Sequence, residues 1–143
     1  MGSVLRVRDV MTRDPKTLGR NDQLSLADDL MKQERIRHLP VLDDDGELAG
    51  IVSQRDMFRG ALARALGYGE TAQRRMLGLL AVKEVMTTQM VTVEPGAPIA
   101  DAARTMVDRK IGCLPVVEGG KLVGILTESD FVEMLASRGK LSG

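Results

Sequence analysis

Aromatic side chains make up 2% of this 143-residue chain, and Phe58, Tyr68 and Phe131 are all there are. Stacking on exposed bases, the usual grip on single-stranded nucleic acid, is therefore a poor expectation. Charge of one sign is lacking too, because 20 Lys+Arg are matched by 20 Asp+Glu, which removes a whole-protein pull towards DNA or an anionic membrane. A single cysteine, Cys113, excludes an internal disulfide and a Cys-rich zinc site. One histidine, His38, leaves no nucleophile, base and orienting group to assemble around it, so an enzyme is not expected. No apolar run approaches the roughly 18 residues that span a bilayer. Met1 to Asp9 carries Arg6, Arg8 and Asp9 where a signal peptide would have an apolar core. The expectation is a cytoplasmic protein with no nucleic-acid or membrane partner.

What is present is a globular composition, 43% apolar and 28% charged, and an internal duplication. Val10-Met11-Thr12 recurs as Val85-Met86-Thr87, Thr17 as Thr92, Ala27 as Ala102, Met31 as Met106, and Ile36 with Leu39-Pro40-Val41 as Ile111 with Leu114-Pro115-Val116, all offset by 75. Beyond Asp43 the offset becomes 74: Gly46, Leu48, Gly50-Ile51 and Asp56 return as Gly120, Leu122, Gly124-Ile125 and Asp130. The one-residue slip falls between Asp43-Asp44-Asp45-Gly46 and Glu118-Gly119-Gly120, where a hairpin turn absorbs it.

Both copies change hydrophobic period in the same order. In the first, Thr17-Leu18 is extended, and Asp22 or Ser25 caps a helix running to about Arg35 on which Leu26, Ala27, Leu30 and Met31 return at helical spacing. Two short strands, Leu39–Leu42 and Leu48–Val52, flank the acidic turn, and a helix over 57–66 follows Ser53. In the second copy Val91-Thr92-Val93 is extended, and helix 98–109, strands Leu114–Val117 and Leu122–Leu126, and a helix over 128–137 follow. Each copy reads β-α-β-β-α, a mixed α+β class. The expected organisation is a first repeat over 8–66, a linker over 67–83 with helical spacing from Glu70 to Lys83, and a second repeat over 84–137.

Ser53-Gln54-Arg55-Asp56 and Thr127-Glu128-Ser129-Asp130 stand where a strand passes into a helix. The Asp carboxylates can each accept two hydrogen bonds from the vicinal hydroxyls of a ribose. Ser53 and Thr127 add a hydroxyl beside unpaired backbone N–H groups, a setting that favours phosphate. The same spacing is also a helix-capping motif, so one pattern has two uses. Cys113 lies in an apolar stretch and reads as a buried thiol. The acidic run at Asp43–Glu47 lacks the alternation of a calcium loop and reads as a turn.

In order, the Val-Met-Thr lead-in, the helix, the Leu-Pro-Val strand, the Gly-Ile hairpin strand and the Ser/Thr-x-x-Asp corner occur twice between Val10 and about Leu135. This arrangement resembles a tandem CBS-domain pair, a Bateman module. The resemblance implies two repeats packed about a pseudo-twofold axis with clefts between them, regulatory rather than catalytic, commonly binding AMP, ADP, ATP or another adenosyl compound, and paired as a homodimer that regulates another protein. It implies phosphate contacts from Arg37, His38 and Arg55, with Ser129 at the position matching Arg55. It places adenine near Thr17, Thr92 and the strands holding Pro40 and Pro115. The second copy departs from the basic pattern: Gly112-Cys113 stands where Arg37-His38 stands in the first, so the cleft at Cys113 is expected to bind phosphate more weakly. It takes an uncharged adenosyl group, draws cations from the other copy or from Arg109-Lys110, or stays empty. The alternative is a constitutive interaction or dimerisation scaffold with empty clefts. No metal and no cofactor beyond the adenosyl ligand is expected.

Overall fold

This computed structural model describes residues 5–57, 74–75 and 77–142, with side chains through 137. The chain divides into two compact units, residues 16–90 and residues 1–15 with 91–143. Each copy's hairpin and first helix therefore share a unit with the Val-Met-Thr lead-in of the other copy.

In the unit formed by residues 16–90, strand β2 (Leu18–Gly19) leads to helix α2 (Leu24–Glu34), then β3 (His38–Leu42) and β4 (Leu48–Ser53). The sheet order is β2-β3-β4, with β2 parallel and β4 antiparallel to β3. α2 buries Leu24, Ala27 and Met31, three positions on one helical face, against Leu39, Val41 and Val52 of the hairpin. Its end is set by Arg35 in the left-handed region at φ 56°, with the Ile36 N–H donating back to the Met31 carbonyl.

The other unit begins with α1 (Val7–Val10) and β1 (Thr12–Arg13) and continues with α3 (Ile99–Arg109), β5 (Cys113–Glu118), β6 (Lys121–Thr127) and α4 (Glu128–Ser142). Its sheet order is β1-β6-β5, both pairings antiparallel. α3 repeats the design of α2, burying Ala102 and Met106 and ending at Lys110, also at φ 56°. Val7, Leu114, Val116 and Leu126 complete its core.

The mixed α/β class and the helix-strand-strand order of both copies agree with the sequence reading, whereas the extended segment expected at Val91–Val93 is reduced to one parallel bridge from Val93 to Val116. Between the hairpin strands, Asp43 Oδ1 accepts the N–H groups of Asp45 and Glu47, both at 2.9 Å, which gives the acidic run a turn function. The second turn is tighter, with Gly119 and Gly120 at φ 58° and 81°, the double positive φ of a two-residue hairpin loop.

Three local expectations are corrected. Neither Asp22 nor Ser25 caps α2: Gln23 occupies that position, the Leu24 N–H donates to the Leu80 carbonyl at 2.8 Å, and the Asp22 carboxylate accepts from the Gly19 N–H at 2.7 Å. Helical structure ahead of the second copy stops by Leu80 instead of Lys83. There the chain extends at Ala81 and forms a 3-10 turn (Val82–Glu84), because the Val82 and Lys83 N–H groups are drawn to the carbonyls of Asp22 and Arg20. The last helix also runs five residues past 137. Most of the expected helix over 57–66 and the Gly67-Tyr68-Gly69 break lie outside the described residues.

The duplication also reaches further back than Val10. Val7-Arg8-Asp9 and Val82-Lys83-Glu84 form equivalent short turns, each closed by an acid that accepts the N–H three residues earlier, Asp9 from Arg6 and Glu84 from Ala81, both at 2.8 Å.

Candidate functional site

Each strand-to-helix corner is assembled inside one unit. In residues 16–90, β4 ends at Ser53, paired in register with His38 at the start of β3, and residues 54–57 turn into a helix. The Gln54 N–H donates to the Arg37 carbonyl at 2.8 Å, tying that helix start to the segment before β3. Ser53 Oγ accepts the Asp56 N–H at 3.0 Å, so the hydroxyl caps the new helix. The Asp56 carboxylate is half-buried and, among the described residues, accepts one bond, from the Thr87 hydroxyl at 3.3 Å. Thr17, Arg37 and Arg55 are exposed and His38 is half-buried, whereas Pro40 is fully buried in the sheet.

The corner in the other unit has the same parts and a different hydrogen-bond pattern. Asp130 is 7% exposed, the one buried charged side chain among the described residues. Its Oδ1 accepts the Thr12 hydroxyl at 2.8 Å, and its Oδ2 accepts the Thr127 N–H at 2.8 Å and the Thr127 hydroxyl at 3.3 Å. Here the acid reaches back to the start of the motif, the second half of a capping box. Cys113 is buried nearby, and its thiol is pushed up to about 12, first by burial and then by the charge of Asp130. It is an inert thiol at neutral pH. Thr92 and Ser129 are exposed, and Pro115 is fully buried.

Thr12 and Thr87 were not among the residues singled out from sequence. They were visible only as the end of the repeated Val-Met-Thr, and the step missed is that each acts on the other copy's aspartate. Two glycines make this possible. A Cβ on Gly124 would stand 2.6 Å from Met11 Sδ and 2.9 Å from the Thr12 carbonyl oxygen, and one on Gly50 would stand 2.8 Å from Met86 Sδ and 2.9 Å from the Thr87 carbonyl oxygen. The bare backbone of the Gly-Ile strand is thus the seat of the lead-in. Thr12 pairs with Ile125 in β6, and Thr87 bridges Ile51 through two hydrogen bonds of 2.8 and 3.0 Å.

The described residues hold no group of three or more His, Cys, Asp or Glu placed to bind a metal ion, and no helix among them is long and apolar enough to cross a membrane.

Known proteins are similar to this chain in sequence and in fold. A curated relative from Dictyostelium discoideum, a CBS domain-containing protein, is 31% identical over 90% of this chain and 90% of its own length. The chain spans only 32% of another, from Methanocaldococcus jannaschii, at 33% identity. Among solved structures, the Vibrio cholerae protein AcuB, provisionally ascribed to acetoin utilization, superposes with a TM-score of 0.82 at 38% identity, covering 98% of this chain and 96% of that one. The CBS domain pair of protein MJ0100, in complex with 5'-methylthioadenosine and S-adenosyl-L-methionine, gives 0.76 at 26% identity over 95% and 99%. CBSX2 in complex with AMP gives 0.75 at 28% identity over 94% and 98%. The CBS domain profile matches residues 7–62 and again 82–137, the two copies with their short N-terminal turns included, and the chain therefore belongs to the CBS domain family as a tandem pair.

Proposed function

We propose that this chain is a non-catalytic sensor that binds an adenine nucleotide or a related adenosyl compound and changes its association with itself or with a regulated protein. The observation that carries the reading is the Asp56 corner. A half-buried carboxylate with one long bond among the described residues stands at a strand-to-helix junction, with Ser53 fixed beside it. A carboxylate in that state can accept the 2' and 3' hydroxyls of a ribose, and exposed Arg37 and Arg55 supply forked donors for phosphate. Related CBS pairs that hold AMP, S-adenosyl-L-methionine and 5'-methylthioadenosine support the ligand class.

Sensing requires that the ligand bind two association states unequally. A homodimer is the association this reading favours, because Val132 and Leu135 leave apolar side chains 66% and 64% exposed on α4. The test is calorimetric titration of the purified chain with AMP, ADP, ATP, S-adenosyl-L-methionine and 5'-methylthioadenosine. Saturable heat from at least one is expected. No heat from any of them overturns the sensor reading and leaves the interaction scaffold as the function.

A further inference from the structure

Duplication supplied two aspartates at equivalent corners, yet their surroundings are unequal in three independent ways. The first is hydrogen bonding. Among the described residues, Asp130 has both oxygens engaged, by Thr12 at 2.8 Å and by the Thr127 backbone at 2.8 Å, whereas Asp56 accepts one bond at 3.3 Å from Thr87. A ribose diol arriving at Asp130 would have to displace or crowd short charge-assisted bonds on both oxygens, and one arriving at Asp56 meets the single long bond from Thr87.

The second is access. Asp130 is 7% exposed and Asp56 is half-buried, so the latter is the more open of the two to a solute. The third is cationic support. Arg37 and Arg55 flank the Asp56 corner in sequence and are exposed, and the matching positions in the other copy are Gly112 and Ser129. The buried thiol of Cys113, matching His38, is protonated at neutral pH and offers an anionic phosphate no charge.

We infer that the two aspartates have divided their roles: Asp56 is the ligand carboxylate of a single nucleotide site per chain, and Asp130 is a structural lock that fastens Thr12, and with it strand β1, to the far end of the sequence. The inference rests on the sensor reading and adds to it the number of sites and their identity. Thr12 is then a positioning residue whose partner is the lock, and Thr87 is the corresponding contact at the ligand site.

The experiment is calorimetry with AMP on the full chain, alongside thermal melts, for the wild type, Asp56→Asn, Asp130→Asn and Thr12→Val. One AMP per chain is expected. Asp56→Asn weakens binding by at least about tenfold, the size expected for losing hydrogen bonds to a charged acceptor, and leaves the melting temperature of the free protein nearly unchanged. Asp130→Asn and Thr12→Val lower the melting temperature and keep the AMP affinity within about twofold of wild type. Should Asp130→Asn fail to fold, Thr12→Val still reports on the lock because it removes one donor and keeps the side-chain shape. Two AMP per chain, or a tenfold loss with Thr12→Val or Asp130→Asn, overturns the division of roles while keeping the sensor. Absence of heat with AMP and with the other adenosyl ligands overturns both.

Discussion

The Thr12 hydroxyl donates to the Asp130 carboxylate at 2.8 Å across 118 residues of sequence, and Thr87 makes the equivalent contact to Asp56 at 3.3 Å across 31. Both pairs join the last residue of a Val-Met-Thr lead-in to the acid that opens a helix in the other copy. The duplicated sequence is thus stitched crosswise, and the strength of the stitch differs between the units. Such a contact matters most where it is dry, because a buried carboxylate that loses a donor keeps its desolvation penalty.

Gly50→Ala and Gly124→Ala are each expected to destabilise the protein. The new methyl meets a methionine sulfur, which can swing away, and a backbone carbonyl at 2.9 Å, which cannot without shifting the lead-in. Overpacking of this kind costs about 1–3 kcal/mol. Urea denaturation of the two variants checks it, and midpoints equal to wild type would show that the lead-in is not seated on these glycines.

Ser53→Ala should remove the cap on the Asp56 N–H and cost about 1 kcal/mol of stability without ligand present. Chemical denaturation measures that loss, and an unchanged stability would mean that the hydroxyl contributes no capping.

Arg35→Gly and Lys110→Gly are expected to raise stability. Both residues hold φ at 56° at a helix end, a region that costs an L side chain about 1–2 kcal/mol and glycine little, and the larger unfolded-state entropy of glycine returns roughly half of the gain. Melting temperatures above wild type for both single variants are the expected result.

Cys113 should give the protein an alkaline limit. Its folded pKa is raised from 9.0 to about 12, so the folded state favours the thiol and the unfolded state the thiolate. That preference carries no penalty below pH 9, where both states keep the proton, and it draws stability down as pH rises from 9 towards about 12. The slope approaches about 1.4 kcal/mol per pH unit in that window and vanishes in Cys113→Ala, so the difference between the two stability curves is the measurement.

Much of the fold was legible because the hydrophobic period switches twice in the same order, and the slip from offset 75 to 74 identified a turn. The strand-to-helix corners were legible as Ser/Thr-x-x-Asp. Which half of the capping box each would form was not, since Ser53 caps through its hydroxyl and Thr127 through its N–H to Asp130, a choice made by tertiary surroundings. The failed caps at Asp22 and Ser25 have a similar origin: the Leu80 carbonyl, 56 residues downstream of Leu24, supplies what a local side chain would have given. Pairing between lead-in and hairpin was hidden because periodicity describes neighbours along a segment and is silent on which edge a two-residue strand will join.

Crosswise stitching also gives the two units different histories on the ribosome. Residues 16–90 form one continuous stretch and can close as soon as they have emerged, in the N-to-C direction of synthesis. The other unit draws on both flanks, so β1, made before that stretch, waits for β6, made after it. Until β6 has emerged, Thr12 and Arg13 must stay free of any competing strand, and Met11 stays without its glycine seat. A pause or a premature stop before Gly124 would therefore leave residues 16–90 closed and the β1 edge orphaned.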